Sequence, residues 1–573
     1  MNKIVQNIFF LTFALIYSVQ SYAQAATENT RIDSPVVVSL QAAAVASAHP
    51  LATGVGIEIL KQGGNAFDAA VAVSAALAVV EPYSSGIGGG GFYLLHQAKE
   101  NKYVMLDARE KAPQQADKDM YLDQQSDVIA DASITGALSA GIPGIPAALV
   151  ELANKYGTLS LSQSLAPAIG YARSGFEVDA YYQRMAGFRL HALQMNGAAS
   201  DIFLDADEVP AVGYLIVQKD LANTLEKIAE SGIAGFYEGE LAEKMVNDVR
   251  KHGGIWTMDD MAAYKVQQRA PDVVNYKEMK VVMASLPSSG GLVLSEIFKI
   301  LATYDLQAMT KTQRIHHIVE AMRRAYRDRA EYMGDPDFIE VPAEYLVSDA
   351  HIQALANSIS EKRATPSASL KAVAQPSGKG SDTTHFSIID KQGNKVSATL
   401  SINYPFGACF VAEGTGVLLN DEMDDFVSKP GVPNVYGLVG SHANAIAPGK
   451  RMLSSMTPSF AETADRSVII GTPGGSRIIT MVLLGLLDFY DKRTADEIVN
   501  NGRFHHQYLP DEVSFEPDVF DSKQLDELHQ LGHKTRALNS SYGNMQIIVS
   551  NKKTGELDAA SDGRGVGRAQ IWR

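Results

Sequence analysis

Residues Ala66 to Val80 are the most restrictive stretch of this chain, because they are apolar on nearly every face of a helix, with Asn65 placed to cap the start. A surface helix carries an apolar stripe and a polar face, so a helix without the polar face belongs inside a core. The chain has material for such a core: of 573 residues, 46% are hydrophobic and 20% charged. That length accommodates several ordinary domains or one large layered one.

Leu51 to Leu60 reads as a preceding helix, closed by Gly63-Gly64. Gly86-Ile87-Gly88-Gly89-Gly90-Gly91 then matches a dinucleotide-binding fingerprint by letter. The fingerprint needs strand, loop and helix in that order, whereas here a helix comes first and an apolar strand, Phe92 to Leu95, follows. The glycines instead predict a turn whose backbone closely approaches other segments. No cofactor is expected.

The formal net charge of −15, with no basic stripe, argues against nucleic acid as a partner. At the N-terminus Lys3 flanks a short apolar core, Ile8 to Val19, and Ala23-Gln24-Ala25 fits a cleavage site. Residues 1–25 therefore read as a signal peptide, too short in its core for a stable membrane span, and the mature chain is expected to be periplasmic or secreted. Cys409 is the only cysteine, so no intrachain disulfide can form.

Met105 to Pro113 leaves a strand and ends in a loop carrying Arg109. An arginine there can fork onto a ligand carboxylate, or pair on the surface with Asp107 or Glu110. Gly141 to Gly235 has helical periodicity broken by Gly and Pro and predicts a helical layer. Tyr276 to Ala284 predicts a strand, and Pro287 to Gly291 opens a helix from Leu292 to Leu301. Thr312 to Tyr332 predicts a long helix bearing His316, His317 and Glu320. Adjacent histidines point about 100° apart on a helix, so no metal site is expected there, nor at His505-His506.

The polar run Ser358 to Gly380 looks structureless. Beyond it Thr384, Phe386 and Ile388 alternate with His385, Ser387 and Ile389. Lys391-Gln392-Gly393-Asn394 reads as a turn, and a second run extends from Val396 to Asn403. This predicts a β-hairpin starting at Thr383. Thr383-Thr384 is on its face an ordinary β-branched pair opening a strand. A cut between Asp382 and Thr383 changes its chemistry, because it leaves a free α-amine beside the hydroxyl. That amine titrates at roughly 7.7–8.0 and can serve as the base for its own Oγ.

Four later stretches bear on the same chemistry. Asn420 to Phe426 is an acidic run, of a kind that is usually a solvated loop or a calcium site. Pro430 to Lys450, with Tyr436, is long for a passive connection and reads as a lid. Ser454-Ser455-Met456-Thr457-Pro458 follows. The strand Val468 to Ile470 then leads through Gly471-Thr472-Pro473-Gly474-Gly475-Ser476-Arg477 into a helix from Ile478. Backbone N–H groups at such a turn can hold an oxyanion, though a tight strand-to-helix turn needs the same glycines.

Taken together, Thr383-Thr384-His385, Asn420 to Phe426, Leu453 to Met456 and Gly471 to Arg477, with Arg109 in Asp-Ala-Arg-Glu, resemble the γ-glutamyltranspeptidases among the N-terminal-nucleophile hydrolases. The resemblance spans Val45 to about Asp562. It implies an αββα sandwich (class α+β) made by a precursor that cuts itself into a large subunit, residues 26–382, and a small one, 383–573, which pair as a heterodimer. It implies Thr383 as nucleophile and Ser401, at a position usually threonine, as its supporting hydroxyl. Arg109, Ser454 and Ser455 are implied to hold the glutamyl α-carboxylate, and Asn403, Glu422 and Asp425 the α-amine. Gly474 and Gly475 are implied as the oxyanion hole and Tyr436 as the lid. Glutathione and other γ-glutamyl amides are the implied donors, with water, amino acids or peptides as acceptors. An arginine with two hydroxyls suits a carboxylate, and two carboxylates with an amide suit an ammonium, so the side-chain chemistry agrees. The alternative is an acylase of the same fold acting on glutaryl-type amides such as cephalosporin side chains.

Overall fold

Alternation along the strands decides the architecture. In a computed structural model, residues 40–370 and 383–573 are described; the expected signal peptide and Asp382 lie outside them. Val45, Tyr93, Leu95, Leu106, Phe386 and Ile388 face one core. Their sequence neighbours Ala44, Phe92, Leu94 and Met105 face another. Period-two side chains thus cover both faces of one sheet.

That sheet has seven antiparallel strands, in the order Arg568–Trp572, Ala43–Ser47, Thr384–Ile389, Lys395–Ser401, Gly90–Gln97, Lys102–Ala108 and Gln267–Arg269. Its first face packs on helices that include Pro50–Lys61, Ala66–Val80, Ile145–Lys155, Leu161–Ser174 and Lys219–Ser231. Every residue of Ala66–Val80 is buried, and Asn65 caps it in a reciprocal capping box with Asp68.

The other face meets a second sheet of six strands: Leu557–Ser561, Gln546–Asn551, Arg466–Gly471, Ser459–Glu462, Met279–Met283 and Asp272–Tyr276. Small polar groups seal the contact. Ser387 donates to Gln546 O at 3.1 Å and Ser397 to Ile470 O at 3.2 Å. Helices Gly290–Ala302, Lys311–Tyr332 and Ile478–Tyr490 complete the second core. The result is the expected four-layer αββα sandwich, with the hairpin from Thr383 at the centre of the large sheet.

Two expectations are corrected. The single strand expected over Tyr276–Ala284 is the second half of a hairpin, Asp272–Tyr276 and Met279–Met283. Lys277, at φ 52°, turns the chain between them without glycine. The run after Ser358 is also ordered through residue 370. Two arginines of the long helix hold it: Arg324 donates to Ser358 O at 2.9 Å, and Arg323 to Ser367 Oγ at 2.7 Å.

The glycine turn does what its composition predicts. A Cβ on Gly88 would lie 2.0 Å from Leu418 O, and one on Gly89 would lie 2.1 Å from Ser401 O. Only glycine lets this turn pack against both Ser401, at the end of the central hairpin, and Leu418, just before the acidic run.

Candidate active site

Thr383 stands immediately before the strand Thr384–Ile389 and is buried, with its Oγ 3.4 Å from Ser401 Oγ. Ser401 ends the partner strand, and its Oγ accepts the Asn403 N–H at 2.7 Å. Asn403 is held at φ 77°, and its Nδ2 donates to Asp421 O at 3.1 Å. The hairpin thus presents two hydroxyls and an amide at one end of the central sheet. His385, by contrast, is buried between the sheets beside Gly471, with Nδ1 2.8 Å from Thr399 Oγ. Burial pulls its pKa down to about 3, so it is a neutral core group.

The acidic run is not a solvated loop. Glu422–Asp425 form a single 3-10 turn, with Glu422 and Asp424 buried. Asn420 fixes it: its Oδ1 accepts Gly141 N and Glu422 N, both at 3.0 Å, while its Nδ2 donates to Gly88 O at 2.7 Å and Gly141 O at 2.8 Å. Three of these four hydrogen bonds join segments far apart in sequence. Arg109, fully buried, bridges Glu422 through Nη1 and Asp425 through Nη2, with Glu110 at 3.5 Å. Burial disfavours its charge, but the three carboxyls outweigh that and hold its pKa above the ordinary arginine value. Burial pushes the Glu422 carboxyl up to about 7, with Arg109 opposing, and pushes Glu110 well above the usual range. Glu422 Oε2 has no hydrogen-bond partner among the described residues.

Ser454 and Ser455 come from the loop that pairs with Ser288 at the helix start. Ser289 N donates to Ser454 O at 2.8 Å, and Ser454 N to Pro287 O at 2.8 Å. A residue that sequence reasoning missed sits behind them. Arg329, buried on the long helix, donates through Nη2 to Ser455 Oγ at 3.2 Å and through Nε to Ser289 Oγ at 2.9 Å. No motif marks it; only its place on the inward face of Lys311–Tyr332 was available as a signal.

Gly474 and Gly475 turn the strand Arg466–Gly471 into the helix Ile478–Tyr490, both at positive φ, 138° and 55°. Tyr436 closes over them: a Cβ on Gly475 would lie 2.3 Å from its ring. The Tyr436 hydroxyl donates to Asn403 O at 2.6 Å. Asn434 ties this segment to the acids by donating to Asp425 Oδ1 at 3.1 Å, and Val435 N donates to Asp424 Oδ2 at 2.9 Å.

Thr383, Ser401, Asn403, Glu422, Asp425, Tyr436, Ser454, Ser455 and Gly475 line one small cavity. Arg109 lies directly behind its acids, and Gly474 shapes the turn without lining it. The cavity therefore gathers the hydroxyls of Thr383, Ser401, Ser454 and Ser455 with the carboxyls of Glu422 and Asp425, and Arg109 is paired to those carboxyls from behind. The adjacent histidines diverge as expected, but His316 meets Glu320 and His533. His316 Nε2 donates to Ser360 O at 2.8 Å, so its Nδ1 accepts from His533 Nε2, also at 2.8 Å. Glu320 is ion-paired to Arg323 and Arg324, and within the group His533 Nδ1 has no hydrogen-bond partner among the described residues.

The family model for γ-glutamyltranspeptidase matches residues 52–572. A glutathione hydrolase proenzyme from Pseudomonas sp. (strain A14) is 44% identical over 85% of this chain and 85% of its own length. A cephalosporin acylase from Bacillus halodurans superposes with a TM-score of 0.81 at 28% identity, covering 93% of this chain and 96% of its own. A chain of Helicobacter pylori γ-glutamyltranspeptidase, 41% identical, superposes with a TM-score of 0.55 over 56% of this chain and 93% of its own. With the family's model matched along nearly the whole described length and a sandwich that builds one pocket from its motifs, the chain belongs to the γ-glutamyltranspeptidase family.

Proposed function

We propose that this protein is an exported, self-processing γ-glutamyltransferase and glutathione hydrolase with Thr383 as nucleophile. The observation that carries the reading is the convergence of Thr383, a hydroxyl, two carboxylates and an oxyanion-type turn on one buried cavity. In the precursor, Thr383 Oγ attacks the Asp382 carbonyl carbon and the peptide nitrogen leaves as the Thr383 amine. Water then splits the resulting ester, giving a new carboxyl at Asp382. Both sheets take strands from residues 26–382 and from residues 383–573, so the two pieces remain one folded body after the cut.

In the mature enzyme the Thr383 amine takes the Oγ proton, and Oγ attacks the γ-amide carbon of the donor. The N–H groups at Gly474-Gly475 hold the oxyanion. The amide nitrogen takes the proton and leaves; for glutathione the product is Cys-Gly. Water or an acceptor amine then breaks the Thr383 ester. Arg109, Ser454 and Ser455, backed by Arg329, hold the donor α-carboxylate, while Glu422, Asp425 and Asn403 hold its ammonium. The Arg109 ion pairs to Glu422 and Asp425 keep opposite charges together in the buried site. A zwitterionic glutamyl head inserts by exchanging those internal pairs for its own two charges.

The acylase reading, suggested by the cephalosporin acylase neighbour, has no use for paired acids at the donor head, because a glutaryl group lacks the ammonium. Turnover of γ-glutamyl anilide against glutaryl anilide separates the two. The proposed function requires the γ-glutamyl compound to be strongly preferred, and Thr383→Ala to abolish its cleavage.

A further inference from the structure

A second cavity, about 890 Å³, shares Tyr436 with the nucleophile cavity and opens beside Gly437 and Ser476. Its walls include Tyr404, Tyr542 and Arg477. Arg477 closes the same 3-10 turn that begins at Gly475, and its N–H donates to Gly474 O at 3.1 Å. Its guanidinium stacks 4.5 Å from the centre of the Tyr542 ring. No carboxylate or other acceptor among the described residues receives a hydrogen bond from it. Three other arginines line this cavity: Arg536 pairs with Glu512, Arg564 pairs with Glu516 and Asp562, and Arg184 is exposed at the rim, 4.5 Å from the centre of the Tyr181 ring. Half-buried and without an acid partner, Arg477 has its pKa drawn below the ordinary arginine value by burial. A stacked guanidinium held in one orientation presents its remaining N–H edge to a planar anion.

We propose that Arg477 is a specificity-determining residue that receives the carboxylate of the leaving group and of the acceptor. The inference rests on the γ-glutamyl-transfer reading. The donor head occupies the Thr383 side of Tyr436, so the group on the far side of the scissile amide extends toward the larger cavity. An acceptor retraces that path: its amine nitrogen bonds to the γ-carbon, the Thr383 ester breaks, and the amine proton passes to the Thr383 oxygen. The favoured class is therefore an amino acid or short peptide with a free C-terminal carboxylate, and aromatic walls beside Arg477 suit apolar side chains.

The test uses the purified wild-type enzyme, γ-glutamyl anilide as donor, and a dipeptide acceptor as free acid or as C-terminal amide. The wild type should transfer to the acid with kcat/KM higher by about tenfold or more, the range for one charge-assisted hydrogen bond. Arg477→Gln should erase that preference through the acceptor KM, and Arg477→Lys, which keeps the charge, should retain part of it. A wild type that treats acid and amide alike overturns the proposal without any variant. So does an Arg477→Gln enzyme that keeps the full preference. Failure of the wild type to cleave the anilide at all would instead remove the γ-glutamyl reading beneath it.

Discussion

Asp425→Asn isolates the ammonium side of the proposed donor site. The substitution keeps shape and removes one charge. Asp425 bridges Arg109 and accepts from Asn434 Nδ2, and its side chain is 13% exposed against 1% for Glu422. At about 4 Å and an effective dielectric constant near 20, one carboxylate is worth about 4 kcal/mol to an ammonium. Part of that remains: Glu422 still faces the ammonium, and the asparagine oxygen still accepts a hydrogen bond. The net loss is then about 2–3 kcal/mol, or roughly 30- to 150-fold in kcat/KM for γ-glutamyl anilide. The folded protein changes little, since Arg109 keeps Glu422 as its partner. Steady-state kinetics with γ-glutamyl and glutaryl anilide check this, because the glutaryl compound has no ammonium to lose. A loss below about threefold with the γ-glutamyl donor, or equal losses with both, would refute the assignment.

Gly475→Ala places a Cβ against the Tyr436 ring at a φ that L-residues resist, so the lid must shift. It should lower kcat/KM for the anilide by about a hundredfold or more, in line with loss of an oxyanion donor. The Glu422 carboxyl, raised by burial to about 7, is charged above that pH and neutral below it. Donor KM should therefore rise as pH falls through about 7, and in Glu422→Gln it should stay flat across the same range.

What was legible in the sequence is what depends on local pattern. The Thr384–Ile389 hairpin and the Ala66–Val80 helix follow from periodicity and capping, and the Gly86–Gly91 turn follows from element order. The hairpin Asp272–Tyr276 to Met279–Met283 escaped because its turn, with Lys277 at φ 52°, carries no glycine or asparagine. The acidic run reads by composition as solvated, and its burial depends on Arg109 and on the Gly88 and Gly141 backbone that Asn420 binds, all far along the chain from it. Arg329 was invisible for the same reason: its contact with Ser455 joins residues 126 positions apart on elements that only the tertiary fold brings together. The position of Arg477 against Tyr542 is likewise a product of the fold.

The proposed mechanism requires Thr383 to become a chain terminus. Intact-mass measurement of the purified protein, with N-terminal sequencing of the pieces, addresses that directly. The account predicts two polypeptides, the smaller beginning Thr-Thr-His-Phe, and a Thr383→Ala protein that stays whole and inactive. An active wild-type protein recovered as one uncut polypeptide, or a Thr383→Ala variant that still divides at this site, would contradict it.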